Sequence, residues 1–232
     1  SSMVAQDVGT VTLDINNQTY SKTVDNVTDF GTALFDLTGL SPNTTYTGVY
    51  SLNGVPQTDT AFSFKTLPQG ASSFKIVTGS CNRTGSNASV WDKIKEEQAD
   101  LFFHLGDLNY LDLNSYDKQD YSQALDLSFS DKIKELLQQT PWVYQYDNHD
   151  SLKPTPDKND PTWTPFMEFF TKVHGYYTPG SINPVVDGLY YSFIVGRVKF
   201  IMLDLRRMRD PQASPDSPTK SILGANQKVW FK

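Results

Sequence analysis

The stretch Leu101-Phe102-Phe103-His104-Leu105-Gly106-Asp107-Leu108-Asn109-Tyr110 decides how the rest of the chain is read. An apolar run that closes on glycine predicts a buried strand, after which the chain breaks into polar loop at Gly106. In open α/β sheets the loops at the carboxyl ends of strands form the ligand crevice. Gly106 permits a sharp turn, so Asp107 and Tyr110 are expected to project toward one point. Carboxylate and phenolate are hard oxygen donors that suit a hard cation such as trivalent iron. Gly-Asp alone reads as an ordinary turn; two further strands with similar polar ends change that reading.

The first of these lies upstream. Phe74-Lys75-Ile76-Val77-Thr78 reads as a strand followed by the loop Gly79-Ser80-Cys81-Asn82. A helix from Ser89 to Gln98, with Val90, Trp91 and Ile94 on one face, completes a βαβ unit, hence a parallel pair with a right-handed crossover. The second lies downstream. Residues Tyr121 to Gln139 carry Leu125, Phe129, Ile133, Leu136 and Leu137 at helical spacing, which predicts one helix stopped by Pro141. Trp142 to Tyr146 is then a third strand, ending in Asp147-Asn148-His149-Asp150. On a parallel sheet these three ends lie side by side, bringing thiolate, carboxylate, phenolate, carboxamide and imidazole to one edge.

Beyond them, Ser151 to Pro165 reads as a surface loop and Thr164 to Val173 as a helix with Phe166, Phe169 and Phe170 inward. Leu189 to Val195 and Val198 to Asp204 form an antiparallel hairpin around Gly196-Arg197. Asp210 to Pro218 is a loop, and Trp230-Phe231-Lys232 lies in an amphipathic helix.

Residues 1–70 have no helical period. Short β-rich runs (Val11 to Ile15, Thr32 to Leu37, Tyr46 to Tyr50, Thr60 to Thr66) are separated by turn residues, and Asn53-Gly54 is a strong hairpin signal. Leu37 to Tyr46 is similar to the corner of a fibronectin type III or immunoglobulin-like sandwich, where a tyrosine bonds back across a turn. This segment holds no cluster of titratable groups and reads as a brace. Leu67-Pro68-Gln69-Gly70 is the linker to a second domain, residues 71–232.

Composition narrows the function. The 232 residues carry a net charge of −6 with no basic block, which argues against nucleic acid as a standing partner. No apolar run reaches membrane-spanning length. Ser1-Ser2-Met3 reads as a mature or engineered end, with any export signal already gone. Cys81 is the only cysteine, so no internal disulfide is possible. Sequons at Asn17, Asn26, Asn43, Asn82 and Asn87 are compatible with secretion, and the expected location is secreted, periplasmic or on the extracellular surface.

The three strand ends resemble the metallophosphoesterases, nearest to the PhoD-type alkaline phosphatase/phosphodiesterase family and more distantly to the purple acid phosphatases. Cys81 in the first motif is similar to the PhoD type, where purple acid phosphatases have aspartate. Both groups share the pattern Gly106-Asp107-Leu108-Asn109-Tyr110. Asp147-Asn148-His149 stands between the two aspartates usual in the PhoD type and the glycine-asparagine of the other. Leu203-Asp204-Leu205-Arg206 and the preceding β domain also resemble the PhoD type. The resemblance implies a phosphoester hydrolase working by metal-activated hydroxide. It implies a ferric ion on Cys81, Asp107 and Tyr110, and a second metal, calcium, shared by Asp107 and Asn148. His149 then contacts the phosphate ester substrate or protonates the leaving group.

The resemblance implies only the first half of a catalytic domain, since the family completes its site with later Asp- and His-bearing loops. A C-terminal segment or complementary chain is therefore expected against Val198 to Asp204 and the Trp230 helix. The rival expectation is an inactive, incomplete metallophosphoesterase-like surface or interaction protein. His104 is expected in the core or behind the site, and His174 is not expected to be a ligand. Arg206 and Arg207 are read either as phosphate contacts or as a solvated pair.

Overall fold

The computed structural model describes residues 8–25, 29–57, 61–112, 118–151, 153, 155–174 and 183–232. The sequon at Asn26, the start of the expected strand at Thr60 and the side chain of Leu125 lie outside the described residues.

The N-terminal strands are β1 (Val8–Ile15), β2 (Gln18–Asp25), β3 (Thr45–Leu52), β4 (Val55–Pro56) and β5 (Phe62–Lys65). They form one antiparallel sheet of order β2-β1-β3-β4, with β5 also on β3. Among the described residues these strands do not divide into the two facing sheets of a sandwich. The hairpin at Asn53-Gly54 is present, with both residues left-handed (φ 50° and 79°). A second tight turn of this kind, Asn16-Asn17 (φ 52° and 57°), joins β1 to β2, a strand not anticipated from the sequence. With β2 and β3 on its two sides, β1 has no free edge, and residues 32–37 are irregular rather than a strand. Tyr46 Oη does accept a hydrogen bond from Ser41 N–H at 2.9 Å, the expected corner.

The linker is tied down. Pro68 O accepts from Gly196 N–H (2.8 Å), and Gln69 bridges to Gly196 in parallel. Phe30 sets its edge on Phe169, with ring centroids 5.1 Å apart.

In the second part, β6 (Ile76–Gly79), β7 (Leu101–His104) and β8 (Trp142–Tyr144) form a parallel sheet in that order. All four residues of β7 are buried because alternate side chains enter different cores. Phe103 packs on Phe193 and Phe200 of a second, antiparallel pair, β9 (Tyr191–Val195) and β10 (Val198–Met202). On the opposite face Phe102 meets Trp91 of α1 (Val90–Glu96) within a smaller cluster containing Ile133 and Leu136.

The expected single helix over Tyr121–Gln139 is two helices, α2 (Lys118–Ser128) and α3 (Asp131–Leu137). Ser130 is extended (φ −64°, ψ 164°), and the Ser128 hydroxyl bonds back to Ala124 O at 2.6 Å. The break has a packing cause. Tyr121 and Ala124 face the large core, whereas Ile133 and Leu136 face the small one.

Helix α4 (Trp163–Val173) buries Phe166, Phe169 and Phe170 as expected. The short α5 (Pro184–Asp187) precedes β9, and α6 (Gly224–Phe231) ends the described structure. In α6, Gln227 is buried, Trp230 is half-buried against Tyr190 (5.0 Å between centroids), and Val229 and Phe231 are exposed. No helix among the described residues is long and apolar enough to cross a membrane.

Candidate active site

The ends of β6, β7 and β8 meet through backbone bonds. Leu105 N–H donates to Gly79 O (2.8 Å), Cys81 N–H to Gly106 O (3.0 Å) and Asn82 N–H to Asp107 O (2.9 Å). Three residues here are left-handed: Cys81 (φ 62°), Gly106 (φ 99°) and Asp107 (φ 56°). Such geometry at non-glycine residues persists only where surroundings enforce it, and it concentrates at functional sites. Gly106 has a second constraint. A Cβ there would lie 2.4 Å from Asp147 Cβ and 2.7 Å from Asp147 N.

The enforcing group is Asp150, to which the sequence assigned no role. Its Oδ2 accepts from Asp107 N–H (2.7 Å) and Asp147 N–H (2.8 Å), and its Oδ1 from Leu108 N–H (2.8 Å). One buried carboxylate thus locks the loop after β7 to the turn after β8. Burial raises its carboxyl to about 6, opposed by the Tyr144 hydroxyl and these three N–H donors.

Inside that frame the predicted donors converge. Cys81 Sγ lies 3.8 Å and Tyr110 Oη 3.1 Å from Asp107 Oδ2. Asp107 Oδ1 accepts from His149 N–H at 3.1 Å. Thr84 Oγ1 fixes the Tyr110 backbone by accepting its N–H at 2.7 Å. Desolvation, then Cys81 and Asp107, hold the Tyr110 phenol well above its ordinary range. A cation at the common point reverses that preference, since it rewards thiolate and phenolate together. The carboxylate and phenolate would suit a highly charged cation such as ferric ion, to which the softer thiolate adds a strongly charge-donating third ligand. Among the described residues no group of three His, Cys, Asp or Glu side chains is spaced for a metal; this site depends on a tyrosine as well. Asn148 is half-buried in the same turn, its backbone carbonyl accepting from the Ser151 hydroxyl (2.9 Å).

His149 is held on two sides. Its Nδ1 is 2.6 Å from Asp112 Oδ1, and its ring lies 4.2 Å from that of Tyr110. Asp112 was missed in the sequence, where it is one more acidic residue in a loop. His104 and His174 lie apart from this point. His104 sits among Trp91, Phe102, Trp142 and Tyr144, and burial pushes it down to about 4. His174 packs on Phe170 and Tyr144, and burial pushes it down to about 3. The two arginines do not form a solvated pair. Arg206 Nε donates to Asp147 Oδ1, whereas Arg207 Nε bonds Val185 O (3.0 Å) and its guanidinium lies over Trp163.

Layered sheets with such strand ends define a phosphatase-type fold, and two solved structures share it. The structure of PhoD superposes with a TM-score of 0.79 at 19% identity, covering 99% of this chain and 53% of that one. Purple acid phosphatase PPD1 from yellow lupin (Lupinus luteus) seeds gives a TM-score of 0.56 at 15% identity, covering 97% of this chain and 43% of that one. Purple acid phosphatase 21 of Arabidopsis thaliana is 29% identical over 165 residues, 71% of this chain and 33% of that protein. The chain belongs to the PhoD-like phosphatase family, whose sequence model matches residues 76–232. It spans 33% of its curated relative's length and 53% of the PhoD structure's.

Proposed function

We propose that the chain carries the metal-binding strand ends of a metal-dependent phosphoester hydrolase of the alkaline phosphatase/phosphodiesterase type, acting outside the cytoplasm. The observation that carries this reading is the meeting of Cys81 Sγ and Tyr110 Oη at Asp107 Oδ2. Cys81, Asp107 and Tyr110 would hold a ferric ion, and Asp107 with Asn148 a second, divalent ion such as calcium. Such a pair, when bound, supplies charge neutralisation and an activated water for attack at phosphorus.

The chain's own groups have separable tasks. Asp107 directs Oδ2 toward Cys81 and Tyr110 and Oδ1 toward the His149 turn, the division a bridging carboxylate requires. With Nδ1 engaged by Asp112, His149 keeps Nε2 for a phosphoryl or leaving-group oxygen. The Tyr110 ring lies against His149 at a tilt of 37° and closes one side of the imidazole. The N-terminal sheet acts as a brace: Ser63 N–H bonds Gln138 O (2.9 Å), and Lys65 pairs with Asp100.

Reconstitution of the chain with iron and calcium, together with its expected C-terminal segment, followed by metal analysis and hydrolysis of a chromogenic phosphate ester, tests the reading. The iron-loaded chain should show a visible phenolate-to-iron charge-transfer band. Tyr110→Phe should remove that band with the fold intact, and Asp107→Asn should remove hydrolysis. A colourless, metal-loaded and fully active chain overturns the ligand assignment. A folded chain that takes up neither metal nor phosphate favours the interaction protein instead.

A further inference from the structure

We infer that Arg206 binds the anionic substrate at this site, presenting its terminal guanidinium nitrogens to a phosphoryl oxygen while Asp147 and Asp204 hold it in place. The inference rests on the hydrolase reading above.

The turn that carries Arg206 is pinned with unusual completeness. Asp204, 1% exposed, accepts on Oδ1 from Arg206 N–H (2.9 Å) and Arg207 N–H (2.8 Å), which bends the chain just past β10. Its Oδ2 accepts from Leu189 N–H (2.7 Å) and from the Tyr146 hydroxyl. Gln227 of α6, also 1% exposed, clasps the Asp204 backbone from both sides. Its Oε1 takes Asp204 N–H (2.7 Å) and its Nε2 donates to Asp204 O (2.8 Å). Segments from β8, β9, β10 and α6 thus fix where Arg206 leaves the backbone.

The side chain then reaches the turn that carries Asn148 and His149. Arg206 Nε donates to Asp147 Oδ1, and Asp147 packs against Gly106, the residue before Asp107. Asp147 also stands two residues ahead of His149 in the same turn. Guanidinium has five N–H donors, of which Nε supplies one. Among the described residues no hydrogen bond reaches the terminal nitrogens of Arg206, whose side chain is 20% exposed. Arg207 next door spends Nε on Val185 O and Nη1 on Lys158 O. Of the adjacent pair, one arginine is committed to packing and the other keeps a planar fork suited to phosphate oxygens. Asp147 anchors that fork through Nε and leaves its outer edge open. The surroundings need such a cation, because Asp107, Asp112, Asp147 and Asp150 otherwise crowd carboxylates where an anion must dock.

The test uses the metal-reconstituted chain paired with its expected C-terminal segment, with inorganic phosphate as the binding probe and p-nitrophenyl phosphate as substrate. Arg206→Gln should weaken phosphate binding in calorimetry and raise KM by about 10- to 100-fold, the loss of one or two charge-assisted bonds, with kcat changing less. Arg206→Lys keeps an ion pair with Asp147, but its single ammonium held there has no planar fork left to present to two phosphoryl oxygens. Its thermal stability should return to that of the parent while phosphate binding stays weak. A purely structural arginine predicts the opposite, recovery of both by lysine. If Arg206→Gln does not fold, Arg206→Lys decides alone. A parent chain that binds no phosphate and hydrolyses no ester overturns the hydrolase reading and this inference with it. Parent-like phosphate affinity in a folded Arg206 variant overturns only the role given to Arg206.

Discussion

Replacing Asp150 by asparagine tests how the site is held together. The carboxylate is 4% exposed and accepts three backbone N–H bonds of 2.7–2.8 Å, from Asp107, Leu108 and Asp147. An amide offers one oxygen and one NH₂. With its oxygen in the Oδ2 position it keeps the bonds from Asp107 and Asp147 but turns a donor toward Leu108 N–H. One orphaned buried donor costs about 1–3 kcal/mol. Asp150→Ala orphans all three, about 3–9 kcal/mol, which is the scale of a whole domain's stability. Against the lost acceptor the neutral amide relieves the burial of charge that raises the carboxyl to about 6, so urea denaturation should place Asp150→Ala well below both the parent and Asp150→Asn at an unchanged slope. The strand-end loops should loosen in parallel, seen as weaker ferric uptake by Asp150→Asn. An alanine variant no less stable than the asparagine one refutes the idea that this side chain joins the two loops.

Three further outcomes are expected. Gly106→Ala places a methyl 2.4 Å from Asp147 Cβ on a residue at φ 99°; strain and overlap together should cost about 2–4 kcal/mol, and an unchanged melting temperature argues against the close approach. His174 stays neutral down to about pH 3 because it is buried. Below its unfolded value near 6.5 only the unfolded chain gains this proton, so stability falls with acidification from about 6.5 toward 3. His174→Phe should relieve that loss by about 1.4 kcal/mol per pH unit relative to the parent, measured by urea unfolding at pH 7 and 5; parallel acid losses in both chains count against it. Finally, Tyr46→Phe removes the Ser41 bond at a cost of about 0.5–1.5 kcal/mol and should leave hydrolysis unchanged, whereas Asp107→Asn should abolish it. Comparable activity losses from the two would move the chemistry out of the strand ends.

Elements whose signals are local can be read directly from the chain. An unbroken apolar run followed by Gly-Asp specifies β7 and its exit, because a strand buried on both faces needs no alternation and a sharp left-handed turn needs glycine. The same logic placed Cys81, Asp107, Tyr110 and the Asp147–Asp150 turn at the ends of neighbouring parallel strands, and Asn53-Gly54 at a hairpin. The Asn16-Asn17 turn was equally legible and marks the overlooked β2. Helical period ran unbroken through Phe129 and Ser130, yet α2 and α3 separate because two different cores claim their apolar faces. What holds the site together emerges from long-range contacts. Asp150 meets Asp107 and Leu108 across 43 and 42 residues, Asp112 meets His149 across 37, and Arg206 meets Asp147 across 59. A lone acidic or basic residue in a loop carries no local sign of its partner, since hydrogen bonds of such separation exist only once the sheet has brought the loops together.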